Sequence, residues 1–337
     1  MANLKTTYLG IELKNPVIVG ANNLVTDLNA LKKIEQAGAA AIVYKSLFEE
    51  QIQLENLEMG NAMSEYADRN AEMINLFPDL EHAGPEEYLM NLSKAKRSVQ
   101  IPVIASLNAV YKESWIEYAR KIESTGVDGL ELNFYSFPKD FEACGKEIIQ
   151  EQLEIVDEVI RAVKIPVSVK LSPYYTNILS VINRMDKLGV QSFTLFNNLF
   201  QPEIDIDEEV NYYPYNLSSP SENKLPLRYA GLLFGEINAG ICSNTGIYTG
   251  SDVIKMILAG ANTVQVVSTL YKNKIEYLET IVNDVEDWMN EKGYQELSDF
   301  RGKLSKKNVK DPYAYKRAQY VDILMKADTI FKKHPMI

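Results

Sequence analysis

The amino-acid sequence predicts an α/β protein with a (β/α)8 TIM barrel, the fold in which eight parallel strands alternate with eight helices. Two repeated patterns indicate it. In the first, an amphipathic stretch ends at a glycine and is followed by a short apolar run; these glycines are Gly38, Gly126, Gly189 and Gly260. In the second, an apolar run starts with Asn-Pro-Val or Ile-Pro-Val, at residues 15–17, 101–103 and 165–167. The two patterns alternate along the chain, as consecutive βα units require.

The apolar runs have the character of buried parallel strands. Each of the four glycines suits the position just after a helix, where the backbone takes a left-handed conformation. The runs that follow are rich in Val, Ile, Leu and Phe without polar alternation, which is typical of strands buried on both faces. Proline is tolerated at the first residue of a strand. The predicted strands are 15–20, 40–45, 102–107, 129–134, 166–171, 192–197, 239–243 and 263–268.

Helical periodicity separates these strands. The predicted helices are 27–37, 86–98, 114–125, 146–163, 176–188, 228–237, 251–259 and 274–292. Eight such units fit a single barrel in a chain of 337 residues. The rival fold is a doubly wound open sheet, which needs a glycine-rich dinucleotide turn after its first strand. The sequence there, "GANNLVTD" at 20–27, is not such a turn, so the barrel is preferred.

Two segments lie outside the repeat. Residues 48–85 connect the second strand to its helix, and loops of this length commonly act as lids or binding loops; a decorative surface loop is the alternative. Residues 311–333 continue with a helical apolar pattern. We therefore predict a barrel over 1–304 with a lid insertion at 48–85, and a C-terminal helical tail over 305–337. The tail is expected to pack on the barrel or on a second subunit.

Composition excludes several classes of protein. The net charge of −11 argues against nucleic-acid binding, which needs a basic surface for phosphates. Two cysteines without a CxxC pair make a disulfide framework or an iron–sulfur site untenable. The N-terminal sequence lacks the order of a signal peptide, and no apolar run approaches the roughly 20 residues of a membrane span. The expectation is a cytoplasmic protein, not bound to membranes, with a small-molecule ligand.

Polar residues at the carboxyl ends of barrel strands are the default active-site set. Here they are Lys45, Ser46, Asn108, Asn133, Ser136, Lys170, Ser172, Asn197, Asn198, Ser243, Asn244, Thr245, Gly246, Ser268 and Thr269. No metal site is expected, because the two histidines, His82 and His334, lie in the long loop and the tail. A glycosidase needs two facing carboxylates, and the one candidate, Glu131, is predicted to point outward. Lysines and amides instead suit a planar heterocycle.

Two loops have free backbone N–H groups suited to a phosphate, at 243–252 and 267–273, after the seventh and eighth strands. The alternative for the first loop is that Thr249, Gly250 and Asp252 only cap the helix that follows.

Six colinear segments resemble the dihydroorotate dehydrogenases, chiefly their soluble class. They are "AAIVYKS", "ELNFYSFP", "IPVSVKLSPYY", "FNN", "NTGIYTGSDVIKMILAGANTVQVVSTL" and "MNEKGYQELSDFRGKL". The resemblance covers residues 3–304. It implies a TIM barrel that binds FMN and oxidises dihydroorotate to orotate in pyrimidine biosynthesis.

The resemblance also implies roles for single residues. Ser136 and Lys45 would be catalytic, with Ser136 taking the substrate's proton as hydride leaves for the flavin. The FMN contacts implied are Ala21, Lys45, Ser46, Asn133, Lys170, Asn197, Thr245, Gly246, Ser268 and Thr269. The substrate contacts implied are Asn75, Asn133, Asn197 and Asn198.

The segment around Ser136 departs from the family pattern, because Phe137 is inserted before Pro138 and Lys139 replaces an asparagine. Two alternatives therefore stay open. One is an FMN barrel enzyme that acts on another cyclic amide or enone, and the other is a non-catalytic FMN-binding homologue. For assembly we predict a homodimer. The electron acceptor is left open among fumarate, NAD through a separate electron-transfer partner, and others.

Overall fold

The computed structural model of the chain describes residues 2–50, 52, 85–134, 141–198, 202–212, 217–315, 321 and 325. Eight parallel strands form a closed barrel. They are β3 (Val17–Val19), β4 (Ala41–Val43), β6 (Val103–Asn108), β7 (Gly129–Asn133), β8 (Val167–Leu171), β9 (Ser192–Leu195), β12 (Gly240–Ser243) and β13 (Thr263–Val266). The barrel closes where β3 pairs with β13 on one side and with β4 on the other, and β4 pairs with β6.

Helices follow the barrel strands. In the described part of the chain they are α1 (Leu28–Gln36), α2 (Glu86–Ser98), α3 (Lys112–Glu123), α4 (Gly145–Ala162), α5 (Ile178–Lys187), α6 (Lys224–Leu233), α7 (Gly250–Ala259), α8 (Ser268–Asn273) and α9 (Tyr277–Lys292). The predicted barrel is thereby confirmed, and each predicted strand and helix of the barrel has a counterpart within a few residues. The short α8 was not predicted.

The two sequence patterns have the structural roles expected of them. Gly38, Gly126, Gly189 and Gly260 all have positive φ angles, which a side chain would oppose. The prolines stand immediately before strands, where a missing N–H is harmless. Their carbonyls still serve the sheet: the N–H groups of Val264, Ile42 and Leu130 donate to the carbonyls of Pro16, Pro102 and Pro166. The glycines after the helices and the prolines before the strands therefore determine where the strands begin.

Three smaller β elements were not predicted. An antiparallel hairpin, β1 (Thr6–Tyr8) and β2 (Ile11–Leu13), precedes the barrel. The two-residue β5 (Leu47–Phe48) pairs with the end of β6. A second hairpin, β10 (Glu203–Asp205) and β11 (Val210–Tyr212), follows β9. All three are too short for the periodicity of their side chains to be recognised.

Two hydrophobic cores hold the barrel together. The larger lies between the strands and the surrounding helices. The smaller fills the barrel interior and contains Ile18, Val43 and Ile104 together with residues of the first hairpin. Tyr8 of that hairpin is 2% exposed, and its hydroxyl lies 3.3 Å from Ser168 Oγ. The hairpin therefore closes the amino-terminal end of the barrel and leaves the carboxyl end for a ligand.

The expectation that Glu131 points outward is wrong. Its side chain is 0% exposed and lies inside the barrel, where Thr194 Oγ1 donates to its Oε2 at 2.8 Å. The physical reason is strand alternation, in which residues two apart face the same side. Asn133 faces the cavity at the end of β7, so Glu131 must face the interior one layer below.

The predicted insertion and tail are only partly covered by the described residues. Most of the predicted lid, including residues 53–84, lies outside them. Of the tail, Pro312–Tyr315 form a short 3-10 helix. Tyr315 packs against α6, because Arg228 Nη2 donates to its carbonyl oxygen at 3.2 Å. The long helix predicted after this point lies outside the described residues, and the division at residue 304 stays a prediction.

Among the helices that the structure describes, none combines the length and the apolar character needed to cross a membrane.

Candidate functional site

A cavity of about 440 Å³ opens at the carboxyl ends of the barrel strands. Its volume falls within the roughly 300–1,000 Å³ of small-molecule sites. Of the predicted site residues, those that border it are Ala21, Lys45, Ser46, Asn133, Lys170, Asn197, Asn198, Asn244, Thr245, Gly246 and Ser268. The others that border it are Asn22, Asn23, Phe48, Leu217, Ser218, Ile247, Gln265 and Val267. The structure thus brings together most of the set predicted from strand ends.

The electrostatic character of the cavity is set by two lysines. Lys170, in β8, is 8% exposed, and Lys45 follows β4 and is half-buried. Neither ammonium has an ion-pair partner among the described residues. The described residues that border the cavity include no Asp or Glu, although the chain as a whole carries a net charge of −11. A pocket with cations and no carboxylate favours an anionic ligand.

Asparagine side chains form a connected row along one wall. Asn197 Nδ2 donates to Asn133 Oδ1 at 2.5 Å, and Asn133 Nδ2 donates to Ser46 Oγ at 3.5 Å. Ser46 Oγ lies 2.7 Å from Ser106 Oγ. The carbonyl oxygen of Asn133 accepts from Asn108 Nδ2 at 2.7 Å. These bonds fix which way the amides of Asn133 and Asn197 face, so the wall is preorganised for a ligand with matching donors and acceptors.

A cluster of hydroxyl groups links the two loops that were predicted to hold a phosphate. Ser218 Oγ lies 2.9 Å from Ser268 Oγ and accepts from the N–H of Gly246 at 3.2 Å. Ser218 was missed in the sequence because it follows no predicted strand. Thr245 borders the cavity, while its hydroxyl donates to the carbonyl of Phe196 at 3.0 Å.

Asn108, Ser172 and Ser243, which were predicted from the strand ends, do not border the cavity. Among the described residues that the family resemblance assigned to the site, Thr269 is the one that does not border it. Its side chain is 0% exposed, and its hydroxyl donates to the carbonyl of Tyr248 at 3.1 Å. Ser136 and Asn75, which were also predicted for the site, lie outside the described residues.

Thr249 and Asp252 cap the start of α7, which was the alternative to phosphate binding for these residues. Thr249 Oγ1 accepts from the N–H of Asp252, and Asp252 accepts in return from the N–H of Thr249, which completes a capping box. Asp252 also accepts from Asn223 Nδ2 at 3.0 Å and from Lys255 Nζ at 3.1 Å. Burial alone would raise the pKa of Asp252, but the bonds from Lys255, Tyr248 and Thr249 lower it overall.

We expect Asp252→Ala to lower the free energy of unfolding by about 1–2 kcal/mol at neutral pH, because a cap is lost and Asn223 loses its partner. The folded-state pKa lies below the unfolded one. The contribution is therefore complete above the unfolded value of about 3.9 and is lost as the pH falls through the folded value. Urea unfolding of both proteins at neutral and acidic pH measures this. A difference that stays constant down to pH 3 would contradict the assignment.

The floor of the cavity contains a residue that sequence patterns did not single out. Gln265, in β13, borders the cavity and is 1% exposed. Its Nε2 donates to Glu131 Oε2 at 2.8 Å and lies 3.4 Å from Thr194 Oγ1. It stands in the middle of an apolar run, so its polar role could be seen only by noting which strand residues face inward.

The cysteines are not candidates for the acid–base group. Burial raises the pKa of Cys242 to about 12, so its thiol stays protonated at neutral pH. Cys144 is exposed and does not border the cavity. Within the described ranges, no group of three His, Cys, Asp or Glu side chains could hold a metal ion.

These residues fit a flavin mononucleotide. The hydroxyl cluster of Ser218 and Ser268 suits a phosphate, and the lysines and asparagines suit the polar edge of a planar ring. Among the residues that the structure describes at the cavity wall, no carboxylate opposes the negative charge of such a ligand.

The family model described as "Dihydroorotate dehydrogenase" matches residues 3–289. The chain belongs to the dihydroorotate dehydrogenase family. Among its relatives is dihydroorotate dehydrogenase B (NAD(+)), catalytic subunit, of Thermoplasma volcanium. The two are 30% identical over 311 residues, covering 90% of this chain and 98% of the relative. The corresponding protein of Thermoplasma acidophilum is 29% identical over 309 residues, covering 90% and 99%.

A relative with a different electron acceptor in its name also matches. Dihydroorotate dehydrogenase A (fumarate) of Lactobacillus helveticus is 25% identical over 315 residues, covering 90% of this chain and 99% of the relative. The resemblance to the dihydroorotate dehydrogenase family is thus confirmed, and the barrel is the fold expected of it. The names of the relatives give two acceptors, NAD(+) and fumarate.

Proposed function

We propose that the chain is an FMN-dependent oxidoreductase that converts dihydroorotate to orotate in pyrimidine biosynthesis. The observation that carries the proposal is the cavity of a family member in which a buried Lys170, without an ion-pair partner among the described residues, lies beside a row of fixed asparagine amides. FMN, when bound, supplies a ring that accepts hydride from the substrate's CH–CH bond. A homodimer in the cytoplasm is part of the proposal, together with a small-molecule substrate.

We assign to Lys170 and Lys45 the stabilisation of the negative charge that develops on the bound ring during the reaction. Lys170 is held by β8 between Asn133 and Thr194 of the neighbouring strands. A fixed ammonium in a site shielded from water stabilises negative charge on a bound ring more strongly than it would in solution. Lys45 lies on the same cavity, where its backbone carbonyl accepts from Tyr88 Oη at 2.8 Å. It assists as the second cation.

The asparagines are assigned to the substrate. Dihydroorotate offers ring amides and a carboxylate, which amide side chains can bind with both donors and acceptors. Asn133, Asn197 and Asn198 border the cavity, and Asn75 in the proposed lid would add a fourth amide. A wrong ligand that left one buried amide unpaired would cost roughly 1–3 kcal/mol, so this wall selects among rings.

The proton acceptor is assigned to Ser136, three residues after Asn133. A hydroxyl there would take the proton from the substrate carbon and release its own proton to solvent, as the hydride leaves the neighbouring carbon for the flavin. We assign the binding of the cofactor's phosphate to Ser218, Gly246 and Ser268, and Thr245 lies next to Gly246. Thr269 contributes indirectly, because its hydroxyl donates to the carbonyl of Tyr248 and so stabilises the loop that contains Gly246.

The visible spectrum of the purified protein, before and after anaerobic dihydroorotate, tests the proposal. We expect one FMN per chain and bleaching of the flavin band on addition of dihydroorotate. Protein that stays colourless with excess FMN, without a rise in Tm, would contradict the cofactor. A bound flavin that dihydroorotate does not reduce and orotate does not perturb would contradict the reaction alone.

A second substrate class is favoured by the inserted Phe137 and by Lys139. These changes beside Ser136 suit an enzyme that acts on another cyclic amide or enone. A substrate screen with the FMN-loaded protein distinguishes the two. Reduction by any substrate would also exclude a non-catalytic FMN-binding protein.

A further inference from the structure

A buried carboxylate lies directly beneath the cavity. Glu131 is in β7, two residues before Asn133, and its side chain is 0% exposed. Its Oε2 accepts from Thr194 Oγ1 and Gln265 Nε2, both at 2.8 Å, and from Tyr8 Oη at 3.5 Å. Because Gln265 borders the cavity, the carboxylate is separated from a ligand by a single side chain.

The hydrogen bonds around Glu131 match the acceptor character of a carboxylate. Three donors converge on Oε2, which suits a carboxylate that can only accept. Oε1 has no hydrogen-bond partner in the part of the chain that the structure describes. The bond from Gln265 Nε2 to Glu131 Oε2 fixes the orientation of the Gln265 amide, because its Nε2 must face Glu131.

The charge of Glu131 acts in the same interior as that of Lys170. Cys242 is 0% exposed inside the barrel, and its pKa responds to both of these charges. Burial raises its pKa most and a bond from Thr263 lowers it. The charge of Glu131 raises it further, and that of Lys170 lowers it. Charges that are shielded from solvent are weakly screened, so each extends its influence to the cavity.

We propose that Glu131 is a positioning residue that anchors Gln265 at the cavity floor and provides a fixed negative charge beneath the cavity that would hold the flavin. The inference rests on the proposed function. Reduction adds negative charge to the ring, which Lys170 favours and Glu131 opposes. The balance of the two sets how easily the cofactor is reduced.

The midpoint potential of the FMN-loaded protein tests this in Glu131→Gln, which keeps the shape of the side chain and removes its charge. We expect reduction to become at least tenfold more favourable, a shift of about +30 mV for a two-electron couple. Thr194→Val is the matched control, because it removes a donor to the same oxygen and leaves the charge. Its equilibrium for reduction is expected to stay within about threefold of the wild type.

Glu131→Asp provides a second test that keeps the charge, and its equilibrium is also expected to stay within about threefold. An unchanged potential in Glu131→Gln with FMN bound would overturn the inference and leave the proposed cofactor intact. A tenfold shift in Glu131→Asp would also overturn it, because shape would then control the potential. Wild-type protein that does not bind FMN would overturn both the proposed function and this inference.

Discussion

Lys170→Ala is expected to weaken FMN binding by about 10- to 150-fold, because a hydrogen bond to a charged group contributes roughly 1.5–3 kcal/mol. The side chain is 8% exposed and borders the cavity without an ion-pair partner among the described residues. Its ammonium is therefore available to the ligand and held in place by β8. Titration of the apoprotein with FMN, followed by flavin fluorescence, measures the dissociation constant.

Lys45→Ala is the matched control. Lys45 borders the same cavity but lies after the end of β4 and is more exposed, so its ammonium is held less firmly. We expect a smaller loss of FMN affinity than in Lys170→Ala. Equal and negligible effects of the two substitutions would mean that the flavin does not bind between these lysines.

Ser136→Ala is expected to slow the reduction of bound FMN by dihydroorotate about 10²- to 10⁴-fold, the usual contribution of a positioned general base. FMN should stay bound, because the proposed phosphate and ring contacts do not include Ser136. Anaerobic stopped-flow mixing with dihydroorotate measures the rate of bleaching. A rate unchanged from the wild type would remove Ser136 from the mechanism.

Ser136→Cys is the informative companion. A thiol with an ordinary pKa near 8.5 is a better base at neutral pH than a serine hydroxyl. We therefore expect Ser136→Cys to reduce the flavin at least as fast as the wild type, with a rate that rises towards alkaline pH. A Ser136→Cys rate as low as that of Ser136→Ala would indicate that the pocket shape at this residue, and not proton transfer, limits the reaction.

The barrel could be predicted because the glycines and prolines that mark the ends of its helices and the starts of its strands are local sequence features. Gly38 and Gly126 have the positive φ angles that end a helix, and Pro102 and Pro166 immediately precede strands. Each feature depends on a few neighbouring residues, so a single sequence contains it. The strand-end residues of the site follow from the same register, since parallel strands bring their carboxyl ends together.

The parts that were missed depend on contacts between distant segments. Ser218 joins the site because its hydroxyl meets Ser268, fifty residues later in the chain. Tyr8 enters the barrel through a hairpin with three residues per strand, too short to show a pattern. Glu131 was predicted to point outward, and a buried charge is indeed costly. Donors from three other strands offset that cost.

The pairing of β3 with β13 also governs when the protein can finish folding during synthesis. Val17 pairs with Val264, and these residues leave the ribosome roughly 250 residues apart. At about 5–20 residues per second this is a delay of roughly 12–50 seconds. Throughout it, the apolar β3 has an open edge that another chain could pair with. Translation speed and chaperone supply therefore affect the yield of this protein independently of the stability of the finished barrel.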